Sequence, residues 1–184
     1  METAQMLDTK IDLSVYLDLF DYKAPFLEEK LFKASKIKSK EEFETAFLEL
    51  KKYFILNEVC EKPLGMSSKL IDDVWHQFIL FTKEYHNFCN KFFGGYIHHI
   101  PNTSFTPISD KNGTEYFVDS YINTFGGTLP EIWGIKINYS DAECSGCNTC
   151  SQGERVKTYT VVSLAGCSEC NGCGTGTFSC EPAK

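Results

Sequence analysis

The chain has no long hydrophobic run. No stretch of its 184 residues approaches eighteen consecutive apolar side chains, so no membrane span is expected. Its opening, METAQMLDTKIDLSVYLDLF, lacks the basic region followed by an apolar run that marks a secretory signal, and the cytoplasm is the expected location. Basic residues are in the minority: 18 Lys and Arg against 25 Asp and Glu leave a net charge of −7 and a pI near 5.1. A surface of that sign repels phosphate, which argues against nucleic acid and anionic membrane as partners and leaves a protein partner open. Also missing are G-x-x-x-x-G-K-S/T, G-x-G-x-x-G after a strand and G-x-S-x-G, so the sequence contains no recognisable phosphate cradle or nucleophile elbow. Histidine and cysteine are scarce over most of the length. The four histidines all fall between His76 and His99, and only Cys60 and Cys89 of the nine cysteines precede residue 140.

What is present suits one domain with an appendage. A hydrophobic content of 42% with 14% aromatics can fill a core. Residues 1 to about 100 read as helices. Leu13, Tyr16, Leu17 and Phe20 are spaced i, i+3, i+4, i+7 and form one apolar stripe, and residues 21–25 break it. Ser39 followed by Glu42 has the pattern of an N-cap with its capping-box partner, opening a helix through Phe43, Phe47, Leu50, Phe54 and Leu56. Pro63 and Gly65 end that segment, and Ser67 or Ser68 can cap the next helix, which runs to about Phe93. Phe117, Tyr121, Ile122 and Phe125 predict a further helix, Gly126-Gly127 stops it, and residues 129–133 suit a last short one. From residue 140 onward Cys, Gly, Ser and Thr dominate, apart from a strand-like RVKTYTVVSL at 155–164. A domain boundary is expected there. The expected fold is mainly α: a compact helical domain over 1–140 and a Cys-rich, Gly-rich C-terminal appendage over 141–184.

The stretch IDDVWHQFILFTKEYHNFCNKFFGGYIHHIP, residues 71–101, draws attention because it holds every histidine. At about 100° per residue, Ile71, Val74, Phe78, Phe81, Tyr85, Phe88, Cys89 and Phe92 share a core face. His76 points the other way, one turn from Asp72, close enough for a carboxylate–imidazole contact that fixes the tautomer and frees the other ring nitrogen. Gly94-Gly95 lets the chain reverse, so His98 or His99 can return toward the helix. Asp72, His76 and one of His98 and His99 form a candidate three-ligand set for Zn²⁺ or Fe²⁺, suited to metal-assisted chemistry with an open position. The plainer alternative is a structural helix pair, a core tryptophan and a turn-anchoring His pair. His86 reads as a boundary residue, and Cys89 as a small buried hydrophobe rather than a nucleophile.

The tail duplicates a C-x-x-C-x-x-C triplet: Cys144, Cys147 and Cys150, then Cys167, Cys170 and Cys173, followed by Cys180. Two residues between thiolates let both sulfurs reach one ion. The inner pairs read C-x2-C-x16-C-x2-C, the spacing of a zinc ribbon or similar four-thiolate site, with the strand-like segment as part of a small β hairpin. An iron–sulfur cluster takes the same donors. A disordered, redox-labile tail remains open. So does a precursor in which Cys167 onward is a modified core peptide behind a long leader.

The run Asp72-x-x-Trp75-His76, then Tyr85, Cys89, a Gly and a terminal His pair resembles the glycine-rich domain-containing protein-like family over about residues 45–101. Phe54-Ile55-Leu56 and residues 63–68 fit its lead-in. Phe78 stands where plant members carry a second His, and Phe88 where they carry an acidic residue, so a role for those two groups does not transfer. The resemblance implies a helical fold with a Gly-rich, sometimes Cys-rich tail, and implies no catalytic activity. The leading functional expectation is a non-enzymatic metal-binding or interaction protein holding zinc, or an iron–sulfur cluster, through tail thiolates. A metalloenzyme using Asp72, His76 and His98 or His99 is the competing one.

Overall fold

Ser39 opens the longest of the described helices, as its sequence context predicts. In a computed structural model, which describes residues 12–100, 112–141, 155–161 and 178–179, the Ser39 hydroxyl accepts a hydrogen bond from the Glu42 backbone N–H at 3.1 Å. The reciprocal half of the capping box is displaced by one residue: the Glu42 carboxylate accepts from the N–H of Lys38 rather than of Ser39. The helix, α3, spans Lys40–Val59 and is preceded by α1 (Leu17–Asp21) and α2 (Pro25–Lys33), which Pro25 opens at a first-turn position where its missing N–H costs nothing. A 3-10 turn, Leu13–Tyr16, leads into α1. The expected stripe there is rotated: Leu19 is the buried residue and Leu17 is 63% exposed. Lys51, on α3, accounts for how this short element is held. Its ammonium donates to the carbonyls of Phe20 and Tyr22 at 3.0 and 2.7 Å, satisfying acceptors at the C-terminal end of α1.

The predicted long helix from Ser68 to Phe93 is two helices, α4 (Lys69–Leu80) and α5 (Thr82–Phe93), hinged at Phe81 with ψ of 63°. The reason lies in the aromatic face. In a continuous helix the Cα atoms of Phe78 and Phe88 stand about 15 Å apart. The bend instead brings their rings to 5.1 Å, and Phe78 equally to 5.1 Å from Tyr85. Both helices thereby close over Phe54 of α3, whose fully buried ring lies 5.2 Å from Trp75, 5.9 Å from Phe88 and 6.0 Å from Phe93. Burying aromatics of this size is worth roughly 1.5–3 kcal/mol each. Helix α6 (Asn112–Phe125) also packs on α3. There Glu49, 2% exposed, accepts from the Tyr121 hydroxyl at 2.8 Å and from Lys52 at 2.7 Å.

The chain divides into two compact units, Met1–Thr128 and Leu129–Lys184. The compositional shift near residue 140 comes later, because Ile135–Asp141 forms a strand, β1, of the second unit. It pairs antiparallel with β2 (Arg155–Val161), Ile135 opposite Val161 and Asp141 opposite Arg155, and β2 pairs with the short β3 (Phe178–Ser179). β2 was legible in the sequence. β1 reads there as irregular, although Ile135, Ile137 and Tyr139 alternate with polar residues. The described structure is mainly helical, and among the described residues no helix is long and apolar enough to cross a membrane. Cys144, Cys147, Cys150, Cys167, Cys170, Cys173 and Cys180 lie outside the described residues.

Candidate metal centre

Ser68 starts α4 by accepting from the Ile71 N–H at 3.4 Å. With Ile71, Val74, Trp75 and Phe78 all buried, the helix must turn Asp72 and His76 away from the core. They meet one turn apart, His76 Nδ1 standing 3.4 Å from Asp72 Oδ2. The third group arrives from the far side of α5. Gly94 ends that helix in the left-handed region, at φ of 69°, and the chain runs back along α4. His99 Nε2 then lies 2.9 Å from Asp72 Oδ1, and its ring lies 4.4 Å from the ring of His76.

Of the two histidines that sequence left open, the structure brings in His99 and leaves out His98, which is exposed and packs on the ring of Tyr96 at 4.9 Å. His86 is exposed and pairs with Asn90 at 2.9 Å, in keeping with a boundary residue.

Two side chains that composition and spacing assign to the core do more than fill it. The Trp75 indole N–H donates to the Tyr85 hydroxyl at 2.9 Å, and that hydroxyl donates to the Ile97 carbonyl at 2.7 Å. Ile97 is therefore held at its carbonyl, two residues before His99, while Cys89 is fully buried one turn after Tyr85. Trp75 also presents its ring to His99, the centroids 4.3 Å apart and the planes at 71°. The Tyr85 hydroxyl and the Cys89 thiol are both pushed up from their ordinary pKa values, chiefly by burial, so both stay protonated at neutral pH and neither is an activated nucleophile. Tyr53 is pushed up as well, first by burial and then by the charge of Asp72. The signal for these roles was present in the sequence: a buried indole N–H and a buried phenol each need a partner.

One carboxylate oxygen and one ring nitrogen from each histidine lie within 4.8 Å of one another. Donors about 2.0–2.2 Å from a tetrahedral Zn²⁺ stand roughly 3.3–3.5 Å apart; here the contacts of 2.9 and 3.4 Å run to different oxygens of Asp72, Oδ1 and Oδ2, and the three donors would close on an ion through side-chain rotation. Exposure is graded across the cluster, the side chain of His99 being 13% exposed, Asp72 31% and His76 51%. The inner ligand is thus held by protein and the outer one faces solvent, which leaves coordination positions accessible from one side. Two imidazoles and one carboxylate suit Zn²⁺, Fe²⁺ or a neighbouring first-row ion, and supply too few oxygens for Ca²⁺ or Mg²⁺.

A family model described as UCP032817-like matches residues 14–115. That span takes in Asp72, His76, His99 and the Trp75–Tyr85 pair and ends before the second unit begins. No curated protein and no solved structure matches.

Proposed function

The chain belongs to the UCP032817-like family, and we propose that its helical unit is a metal-binding module with Asp72, His76 and His99 as ligands. One observation carries this reading: His99 converges on the Asp72–His76 pair from 27 residues away, against the same carboxylate. An i, i+4 pair alone is common on helix surfaces. A third imidazole, delivered to the same carboxylate by a glycine-ended reversal, completes a set of three donors. The bound ion would be a divalent transition metal, zinc first, with open positions where water or another oxygen or nitrogen ligand can enter. The donor set specifies binding and assigns no reaction, so a metalloenzyme would rest on these same residues.

A second metal reading rests on the tail, where Cys144, Cys147, Cys150, Cys167, Cys170 and Cys173 keep the spacing of a thiolate site. It is favoured by β2, which forms the strand anticipated between the two triplets, in a hairpin with β1. The likeness to glycine-rich domain-containing proteins stands beside it, and four of its motif residues, Asp72, Trp75, His76 and Tyr85, meet at or next to His99.

Cobalt titration of the full chain separates the two sites. A site of nitrogen and oxygen donors gives weak visible bands alone, whereas thiolates add intense near-ultraviolet charge transfer. With the seven tail cysteines changed to serine, the weak visible bands are expected to remain, and His76→Ala/His99→Ala is expected to abolish them. Bands unchanged by that double substitution overturn the helical site. Charge transfer that persists without the seven cysteines overturns the tail site.

A further inference from the structure

We infer that Trp75 and Tyr85 are positioning residues for the candidate metal centre, setting where His99 presents its Nε2. The argument starts from what else could hold that segment. Residues 94–100 form neither helix nor strand, and they begin at a left-handed glycine with open space around its Cα. Gly95, Tyr96, His98 and Ile100 are exposed, and Ile97 alone in the stretch is buried, at 6% exposure. A side chain anchored only by Ile97 packing would leave the following residues free to pivot about the backbone. The pivot is restrained because the Ile97 carbonyl accepts a hydrogen bond from the Tyr85 hydroxyl at 2.7 Å. The Tyr85 hydroxyl cannot turn away, since its lone pair accepts the Trp75 indole N–H at 2.9 Å. Trp75 adjoins both Val74 and the ligand His76 on α4, and its ring flanks His99. The helix carrying two ligands is therefore tied through one buried hydroxyl to the segment carrying the third. Outer groups that orient a metal ligand in this way change affinity by roughly 10–100-fold when removed.

This inference rests on the metal reading for its ligand, and the test is built to tell the two apart. Zinc affinity of the full chain is measured by competition with a chromophoric chelator, with the seven tail cysteines replaced by serine throughout. Tyr85→Phe keeps the ring and deletes the hydroxyl, and is expected to weaken zinc about 10–100-fold although every ligand remains. Leu19→Ala, a core-trimming change on α1 with its side chain fully buried, is expected to lower Tm while leaving zinc affinity within twofold of wild type. Equal affinity for Tyr85→Phe and wild type, or equal weakening by Leu19→Ala, overturns the inference. Should Tyr85→Phe fail to fold, Trp75→Phe, which keeps a large ring and deletes the indole N–H that holds the Tyr85 hydroxyl, is expected to weaken zinc in the same direction; affinity equal to wild type overturns the inference equally. If His99→Ala leaves zinc affinity unchanged, the metal reading is what fails. The positioning role is then judged on the metal-free ring-nitrogen shifts of His99, which Tyr85→Phe should move toward those of a solvent-exposed imidazole. Shifts that stay put overturn it.

Discussion

Zinc should act on this protein as a cross-link that exists only when the chain is folded. Asp72 and His76 are one helical turn apart and remain near one another in any helical fragment, but His99 is 27 residues from Asp72 and reaches it only through the bend at Phe81 and the reversal at Gly94. The unfolded chain offers no such triad, so an ion bound to all three ligands stabilises the native state by mass action. At free zinc about 100 times its dissociation constant the gain is ~2.7 kcal/mol. Unfolding entropy of ~2.1 cal/mol/K per residue gives ~0.27 kcal/mol/K for a unit of about 130 residues. Dividing the two, Tm is expected to rise by ~10 °C. His99→Ala keeps the local pair and loses the long-range ligand. If that costs on the order of 100-fold in affinity, the same zinc contributes only ~0.4 kcal/mol, or ~1–2 °C. Differential scanning calorimetry on the tail-cysteine-to-serine background, with zinc buffered and with chelator, measures both. A wild-type shift no larger than that of His99→Ala would refute the reasoning, because the long-range closure would then contribute nothing.

Two other predictions follow from buried charges. Burial, helped by the Lys23 charge and opposed by Asp21, holds Lys51 down to about 8 from its usual 10.5; the unfolded chain therefore binds a proton that the native state has released between those values, and stability attributable to Lys51 rises with pH across that window. Urea unfolding should show the penalty of Lys51→Met growing by ~2 kcal/mol between pH 7 and pH 9.5, and an equal penalty at both would contradict the assignment. Lys52→Met removes a cation from Glu49, which is 2% exposed and keeps the Tyr121 hydroxyl, and should cost ~1.5–3 kcal/mol. Adding Glu49→Met should recover much of that loss, as read by the same unfolding curves.

The helix starts at Ser39 and Ser68, the aromatic content of the core, the helix ending before Gly126 and the strand at 155–161 were all legible in the sequence, because each depends on side chains within about one turn of each other or on period-two alternation. Asp72 and His76 were legible for the same reason. What the spacing did not reveal were features fixed by partners far along the chain. The hinge at Phe81 exists because Phe78 has more to gain against Phe88 across the bend than along a straight helix. β1 needed β2 to become a strand, and the stripe of α1 turned toward Leu19 under the pull of a lysine on α3.

The choice between His98 and His99 shows the division most clearly. Sequence alone determined that a carboxylate and an imidazole share the outer face of a helix, and that a pair of glycines lets two more imidazoles return toward it. Neighbouring residues of an extended segment point to opposite sides, so which histidine arrives depends on how the segment is rotated. That rotation is decided by tertiary structure, where the Tyr85 hydroxyl holds the Ile97 carbonyl, His99 meets Asp72 and His98 faces solvent.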